Sequence, residues 1–436
     1  MPGSLPVLNE VAVEDAVVVA LALGAKIPRE TTFFRKNYYY PDMSKNFQIS
    51  QYDKAGGTPM ALGGEVRIQV ERKEKRIRIR RLHLEEDPAK LVHLGTIDKS
   101  PYTLVDYNRA GIALLEVVTE PDLDSPIEAR AFLTKLRSIL EHLGVCDGKL
   151  SGAMRCDANI SLGGGKRVEV KNISSYKEVE RALNFEIMRQ RSMFSKGLKI
   201  ETETRHWDEN RRVTISLREK EEEKDYRYFP EPDLTPIEIS EVYVQRVRGR
   251  MPELPDARRE RFMKQYKLPP YDAGVLTSSK DMADFFEKCV GLYNKPKKIS
   301  NWMMGDLLRR LYEESMEIGE SKITPKLLTD MIRLVDEGVI SGKIAKGVLP
   351  KMIKTGKTPA EIVREEKVFL ISSEVELKKL TERVFRDNRK AVLDAISDEK
   401  AVNYLVGQLM GLTKGRADPQ LANKVIREQL SKVRKM

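Results

Sequence analysis

The chain has 436 residues, of which 41% are hydrophobic, a length that accommodates two to four domains with real apolar cores. Its 77 Lys and Arg outnumber 66 Asp and Glu, for a net charge of +11, and the 33% charged fraction of both signs means mixed surfaces rather than one basic tail, a balance that suits a partner carrying phosphates. Cys146, Cys156 and Cys289 form no CxxC pair, which argues against a disulfide framework and a cysteine zinc site, and no apolar run approaches the roughly 18 residues of a membrane span. The start lacks a signal peptide's basic-then-apolar order, so a reducing, cytoplasmic setting is expected.

A first helix is predicted from an Asn9 cap through VAVEDAVVVALAL to Gly24. It is apolar on most faces and must be buried, so its cover comes either from later segments or from chain that would precede it. Residues 33 to 53 interleave Phe33, Phe34, Tyr38, Tyr39 and Tyr40 with Arg35 and Lys36. Such a stretch either stacks on bases and holds phosphates or forms core with a solvated rim. Gly56-Gly57 and Gly63-Gly64 mark turns, and Val66, Ile68 and Val70 open a strand.

Its return partner is the informative stretch Arg76 to Lys90, RIRIRRLHLEEDPAK. Ile77 and Ile79 alternate with Arg76, Arg78 and Arg80, and then Leu82 and Leu84 alternate in the opposite phase. One extra residue at Arg80-Arg81, a β-bulge, repairs the pattern. Glu86 then shares a face with Leu82 and Leu84, while His83 and Glu85 face the other way. Glu85, Glu86 and Asp87 are the best metal candidates of the chain; the plain alternative is a charged strand end facing water. Residues 103 to 122 read as one buried strand ending in acids, and Ser125 to Leu143 as a helix stopped by Gly144.

Residues 153 to 173 predict a hairpin turning at Gly163-Gly164-Gly165. Met154, Cys156, Ala158, Ile160, Val168 and Val170 make its dry side; Arg155, Asp157, Asn159, Arg167, Glu169 and Lys171 make a polar side that looks like the floor of a site or a solvated face. A helix follows from Glu178, and Tyr226 to Asp233, YRYFPEPD, forms a rigid proline turn. From Pro252 strands give way to helical spacings, which places a boundary near 240 to 255. A further helical module opens at a Ser373–Glu376 capping box, and residues 401 to 436 carry seven Lys and Arg against two Asp and Glu, +5.

The strings FRKNYYYPD, QISQYD, HLEED, LVDYNRAG, LLEVVTEPD, MRCDANISL, VEVKNISSY, DYRYFPEPDL, PELPDARRERF, IAKGVL and YLVGQLMGLTKG, in this order over essentially the whole chain, resemble the GatB subunit of the aspartyl/glutamyl-tRNA(Asn/Gln) amidotransferase. The resemblance implies an α+β fold: a cradle domain of mixed and antiparallel sheet at 1–250, an all-α domain at 251–365 and a small helical tail contacting tRNA at 366–436. It implies a C–N ligase that uses ATP to phosphorylate the side-chain carboxylate of Asp-tRNA(Asn) or Glu-tRNA(Gln). Ammonia from glutamine, released by a separate amidase subunit, displaces the phosphate, and a small bridging subunit completes the complex. Glu85 and Glu86 match the metal carboxylates and would hold Mg²⁺; Arg155, Asp157, Asn159, Glu169 and Lys171 would form the catalytic wall; Lys90 and Arg227 would bind ATP.

The extra domain of a related archaeal subunit has no counterpart, since PELPD follows Asp233 within about twenty residues. The family usually begins some tens of residues earlier, with a strand whose Glu and His complete the metal site. Ala113 stands where proline is usual, and Pro88-Ala89 where Ala-Gly is usual. The alternatives to the ligase subunit are a tRNA-binding scaffold of the same complex without catalysis, and a free-standing metal phosphatase.

Overall fold

A computed structural model describes residues 5–39, 45–53, 56–71, 73–93, 100–146, 153–163, 165–219, 226–371, 373–395, 398–413 and 415–433. Tyr40, Gly164 and the Lys90 side chain, named above, lie outside the described residues. The chain divides into two compact units, Met1–Pro255 and Asp256–Met436. The fold is α+β, with the sheets in the first unit and, among the described residues of the second, helices and one isolated bridge between Ile371 and Ala417. No helix among the described residues is long and apolar enough to cross a membrane.

In the first unit, α1 (Glu10–Ala22) starts where the Asn9 side chain accepts hydrogen bonds from the amides of Val11 and Ala12. Its cover comes from later segments: Val13, Ala16 and Val17 pack with Phe33, Leu84, Ile239, Val244 and Val247, and Val19 and Ala20 with Val66, Ile77 and Leu82. Short strands β1 (Glu30–Thr31), β2 (Phe34–Asn37), β3 (Phe47–Ser50) and β4 (Ala61–Leu62) precede β5 (Glu65–Val70) and the long β6 (Lys73–Glu86). β5 and β6 form the expected antiparallel pair.

The phase break in β6 is a bulge. Ile79 pairs with Thr119 but Arg81 pairs with Val118, so Arg80 is the extra residue. Leu82 and Leu84 are thereby buried against α1, and His83 and Glu85 are turned to the opposite face.

The expectation of one buried strand over 103 to 122 is corrected. β7 (Lys90–His93) pairs with β8 (Thr103–Asp106), a 3-10 turn takes Tyr107–Arg109, and β9 (Ala113–Thr119) returns beside β6. The Asp106 carboxylate caps the turn through the Asn108 amide, and Gly111 takes φ +82°, a reversal that a side chain resists. Leu104 and Ile112 stay exposed, and it is Leu115 and Val117 of β9 that pack against the apolar core.

Helix α2 (Pro126–Leu143) ends at Gly144 in the left-handed conformation. β10 (Cys156–Ile160) and β11 (Val168–Ile173) form the predicted hairpin. Helix α3 (Tyr176–Ser195) begins at Ser175, whose hydroxyl accepts the Glu178 amide. β12 (Glu203–Asp208) and β13 (Val213–Glu219) then extend the hairpin into a four-stranded sheet, with β12 parallel to β11. The first unit closes with β14 (Phe229–Pro230), β15 (Ile237–Glu238) and α4 (Glu241–Arg248).

The second unit contains two apolar cores, one running from Phe262 to Val363 and one from Ile371 to Leu430. The second opens with the helix Glu374–Asp387, where the Ser373 hydroxyl accepts the Glu376 amide at 3.3 Å.

Under the four-stranded sheet, Glu186 is fully buried and accepts hydrogen bonds from Arg189, Gln190 and Thr214, with Arg205 at 3.7 Å. Removing one partner of a buried ion network strands the others. Glu186→Ala should therefore destabilise the first unit by about 3–5 kcal/mol, read as an earlier urea transition of its tryptophan signal at Trp207. A midpoint unchanged from the parent chain would show that the network is dispensable.

Candidate active site

The site is built where β6 meets β9. His83 lies directly across from Glu116 in the ladder, so both side chains take one face, and Glu85, two residues on from His83, joins them. His83 Nε2 stands 3.0 Å from Glu116 Oε2 and 3.7 Å from Glu85 Oε2. One ligand atom from each of the three residues falls within 4.8 Å of the others.

His83 is 4% exposed and its Nδ1 has no hydrogen-bond partner among the described residues. Burial opposes a charged imidazole, yet the hydrogen bonds and charges of Glu116 and Glu85 prevail and raise its pKa to about 9. Burial likewise opposes the Glu116 carboxylate, and His83, aided by Lys36 and Arg81, holds it down at about 2. A group of two carboxylates that recruits a proton to its imidazole is one that suits a cation. The oxygens match a hard ion such as Mg²⁺, and the nitrogen extends the fit to Mn²⁺ and its softer neighbours.

Glu86 points away, as alternation requires. Its carboxylate accepts the Ile49 amide at 2.8 Å and pairs with Lys45 Nζ at 2.5 Å, while its backbone carbonyl accepts Gln48 Nε2 at 2.7 Å. It thus fastens β3 to the end of β6 and does not join Glu85. Glu116 escapes a reading of the sequence because LLEVVTEPD presents itself as an apolar run followed by acids. Only the pairing of β9 with β6 singles it out.

The hairpin supplies the second wall. Asn159 lies opposite Glu169, and Lys171 Nζ pairs with Asp157 Oδ2 at 3.2 Å across the strands. Asn172, at φ +62°, is the extra residue of a bulge that lets Cys156 pair with Ile173. Glu169 accepts a hydrogen bond from the Thr204 hydroxyl at 3.2 Å. The Asp157 side chain is 47% exposed, and desolvation by its surroundings is nonetheless the main influence pushing its carboxyl up. Glu169 and Glu116 push the same way, and Lys171 opposes them. The Lys171 ammonium, in turn, is favoured against desolvation by Asp157 and Glu169. Since Asp157 senses Glu116, and both Glu116 and Lys171 sense Lys36, the hairpin and the His83 cluster share one electrostatic field.

Aromatic side chains form the third side. Tyr228 stacks on Tyr52 with ring centroids 4.0 Å apart, and Lys36 Nζ lies 4.7 Å from the Tyr226 ring centroid and 5.4 Å from that of Tyr38. Burial raises the Tyr228 hydroxyl above its usual range, and Glu85 adds to the shift. Phe33 and Phe34 are core, whereas Tyr39 is exposed. Arg227 adopts φ +41°, its carbonyl accepts Asn37 Nδ2 at 2.8 Å, and its guanidinium lies 4.3 Å from the Tyr39 ring centroid. It stands on this aromatic rim. Arg35 anchors the proline turn through Glu231 at 2.8 Å and Asp233 at 2.9 Å. The backbone of Lys90 lies in β7 opposite Asp106. Arg155, at the foot of β10, donates to the buried carboxylate of Asp87.

Residues 1–245 match the family described as GatB/GatE catalytic domain, and residues 284–430 the one described as GatB domain. Among curated proteins, the chain is 50% identical over 431 residues to the GatB-type subunit of the aspartyl/glutamyl-tRNA(Asn/Gln) amidotransferase of Saccharolobus solfataricus, covering 99% of this chain and 90% of that protein. It is 49% identical over 438 residues to the same subunit of Thermotoga maritima, covering 98% and 90%, and 46% identical over 441 residues to that of Carboxydothermus hydrogenoformans, covering 99% and 91%. With both domains matched and half of all positions shared along nearly the entire length, the chain belongs to the GatB family of aspartyl/glutamyl-tRNA(Asn/Gln) amidotransferase subunits.

Proposed function

We propose that the chain is the transamidating subunit of a tRNA-dependent amidotransferase. It uses ATP to phosphorylate the side-chain carboxylate of Asp-tRNA(Asn) or Glu-tRNA(Gln), and ammonia then displaces the phosphate to leave the amide. An amidase subunit supplies the ammonia from glutamine, a small bridging subunit joins the two, and residues 366–436 contact the tRNA. The observation that carries this reading is the grouping of His83, Glu85 and Glu116 within reach of a single ion, with Glu116 close enough for its charge to act on Asp157 of the Asp157–Lys171 pair.

A divalent cation held by Glu85, Glu116 and His83 would neutralise charge on the transferring phosphoryl group, the main need of such a reaction. Lys171 keeps its charge through Asp157 and Glu169 and presents it to phosphate oxygens. Asp157 aligns that ammonium across the strands, Asn159 offers an amide beside it, and Arg155 adds a guanidinium at the foot of the same strand. The Tyr52–Tyr228 stack, which lies within electrostatic reach of Glu85, would shield the phosphoryl group from water on that side. Lys90 and Arg227 are assigned to the nucleotide, Arg227 from the aromatic rim. The glutamate fastened to Ile49 and Lys45 serves the frame instead of the cation, so the metal set of this proposal is His83, Glu85 and Glu116.

In the assembled complex, Glu85→Ala and Glu116→Ala should each lower ATP-dependent amidation by more than about 100-fold, since even outer-shell partners of metal ligands are worth about 10–100-fold. Glutamine hydrolysis by the amidase should persist, and Glu86→Ala should retain amidation within about tenfold of the parent, its cost falling on stability. Amidation at the parent rate in Glu85→Ala would end the proposal. A second readout needs no turnover: calorimetric titration with Mn²⁺ in the absence of nucleotide should give a binding isotherm that Glu116→Ala abolishes and Glu86→Ala keeps. Equal heats in all three proteins would remove the cation from this cluster.

A further inference from the structure

Asp87, third of the acidic run, is built into the fold differently from its neighbours. Its carboxylate is 1% exposed. Its backbone is pinned on both sides, the amide donating to the Ile112 carbonyl at 2.8 Å and the carbonyl accepting the Gly111 amide at 2.8 Å. Oδ2 accepts from Arg109 Nε at 3.1 Å and Nη2 at 2.9 Å, and from Arg155 Nη2. Oδ1 is buried and has no partner among the described residues.

A buried carboxylate is costly unless it is paired, and one cation would suffice. Two guanidiniums on one carboxylate leave a positive charge over, and neither arginine has a second carboxylate partner among the described residues. Both side chains reach the surface, Arg109 at 31% and Arg155 at 52% exposure. Their remaining N–H groups are thus fixed in direction by Asp87 yet open to a ligand. The planar forks match phosphate oxygens in pairs, which a lysine in their place does not. The location is also telling: Asp87 is two residues beyond Glu85, roughly 7 Å along an extended chain, and Arg155 is two residues before Asp157.

We propose that Asp87 is a positioning residue that holds Arg109 and Arg155 as a paired guanidinium clamp for the phosphate oxygens of the nucleotide. The clamp rests on the ATP-dependent reading above and adds to it a phosphate site and a residue, Arg109, from the turn between β8 and β9. Its surplus positive charge complements a polyphosphate whose next group lies toward the acidic cluster at Glu85. RNA phosphates offer the same chemistry, but the clamp opens beside the recess where the phosphoryl group is transferred, which favours the nucleotide.

The test varies ATP and misacylated tRNA separately in the assembled amidotransferase. Arg109→Ala, Arg109→Lys and Asp87→Asn should each raise KM for ATP about tenfold or more, the effect of losing a charge-assisted contact, with KM for the tRNA within about twofold of the parent. Failure of the lysine to rescue marks the fork geometry, and a merely structural role would not single out one substrate's KM. An ATP KM unchanged in Arg109→Ala, or a rise confined to the tRNA, overturns the clamp. Should Asp87→Asn not fold, the two Arg109 variants decide alone, because that side chain is partly exposed. The two proposals fail separately: full amidation in Glu85→Ala with a raised ATP KM in Arg109→Ala ends the cation site and keeps the clamp. Lost amidation in Glu85→Ala with a flat ATP KM in Arg109→Ala does the reverse.

Discussion

The face of the first unit that gathers His83, Glu85 and Glu116 depends on one inserted residue. Strand β6 is fourteen residues long, and side chains on a strand change sides at every step. Without the bulge at Arg80, the register that buries Ile77 and Ile79 would turn His83 and Glu85 into the core and Leu82 and Leu84 into water. The bulge lets a single strand serve the apolar underside with both of its halves while presenting acids at its far end. Arg80 itself is accommodated outside, paired with Glu120 at 2.7 Å. The hairpin repeats the device at Asn172, so both walls of the recess are set by an extra residue in a ladder. Bulges of this kind re-aim side chains beside sites without adding a loop.

Charge is treated in two ways around that recess. Structural charges under the four-stranded sheet are paired in equal number, Glu186 and Glu203 meeting Arg189 and Arg205. Charges facing the recess are left out of balance. His83 takes up a proton between two carboxylates, Asp157 is pushed toward neutrality by burial and by other acids, and Asp87 carries two guanidiniums. A surface that is unbalanced in adjacent patches of opposite sign is suited to a ligand carrying both phosphates and cations.

Much of this was legible in the chain because it rests on local periodicity. The bulge in β6, the dry and polar sides of the β10–β11 hairpin, the Asn9 cap and the Gly144 stop all follow from patterns within a few residues. What escaped depends on pairings between distant segments. Glu116 becomes a neighbour of His83 only through the β6–β9 ladder, and β12 and β13 join the hairpin through a parallel pairing with a helix between. Three acids in a row read alike, yet Glu85, Glu86 and Asp87 have three destinations, because alternation separates the first two and the end of the strand releases the third. The run at 103 to 122 misled for the opposite reason: its apolar residues are local, but Gly111 and the Asp106 cap break it into a turn and two short strands.

The junction between β3 and β6 is made without a backbone ladder. The Glu86 carboxylate takes the Ile49 amide, the Gln48 carboxamide donates to the Glu86 carbonyl, and the Gln51 carboxamide oxygen takes the amides of Met60 and Leu84. Side chains here imitate the main chain. The junction is therefore specified by the identity of three side chains, Gln48, Gln51 and Glu86, where a ladder would accept any residue with a backbone amide.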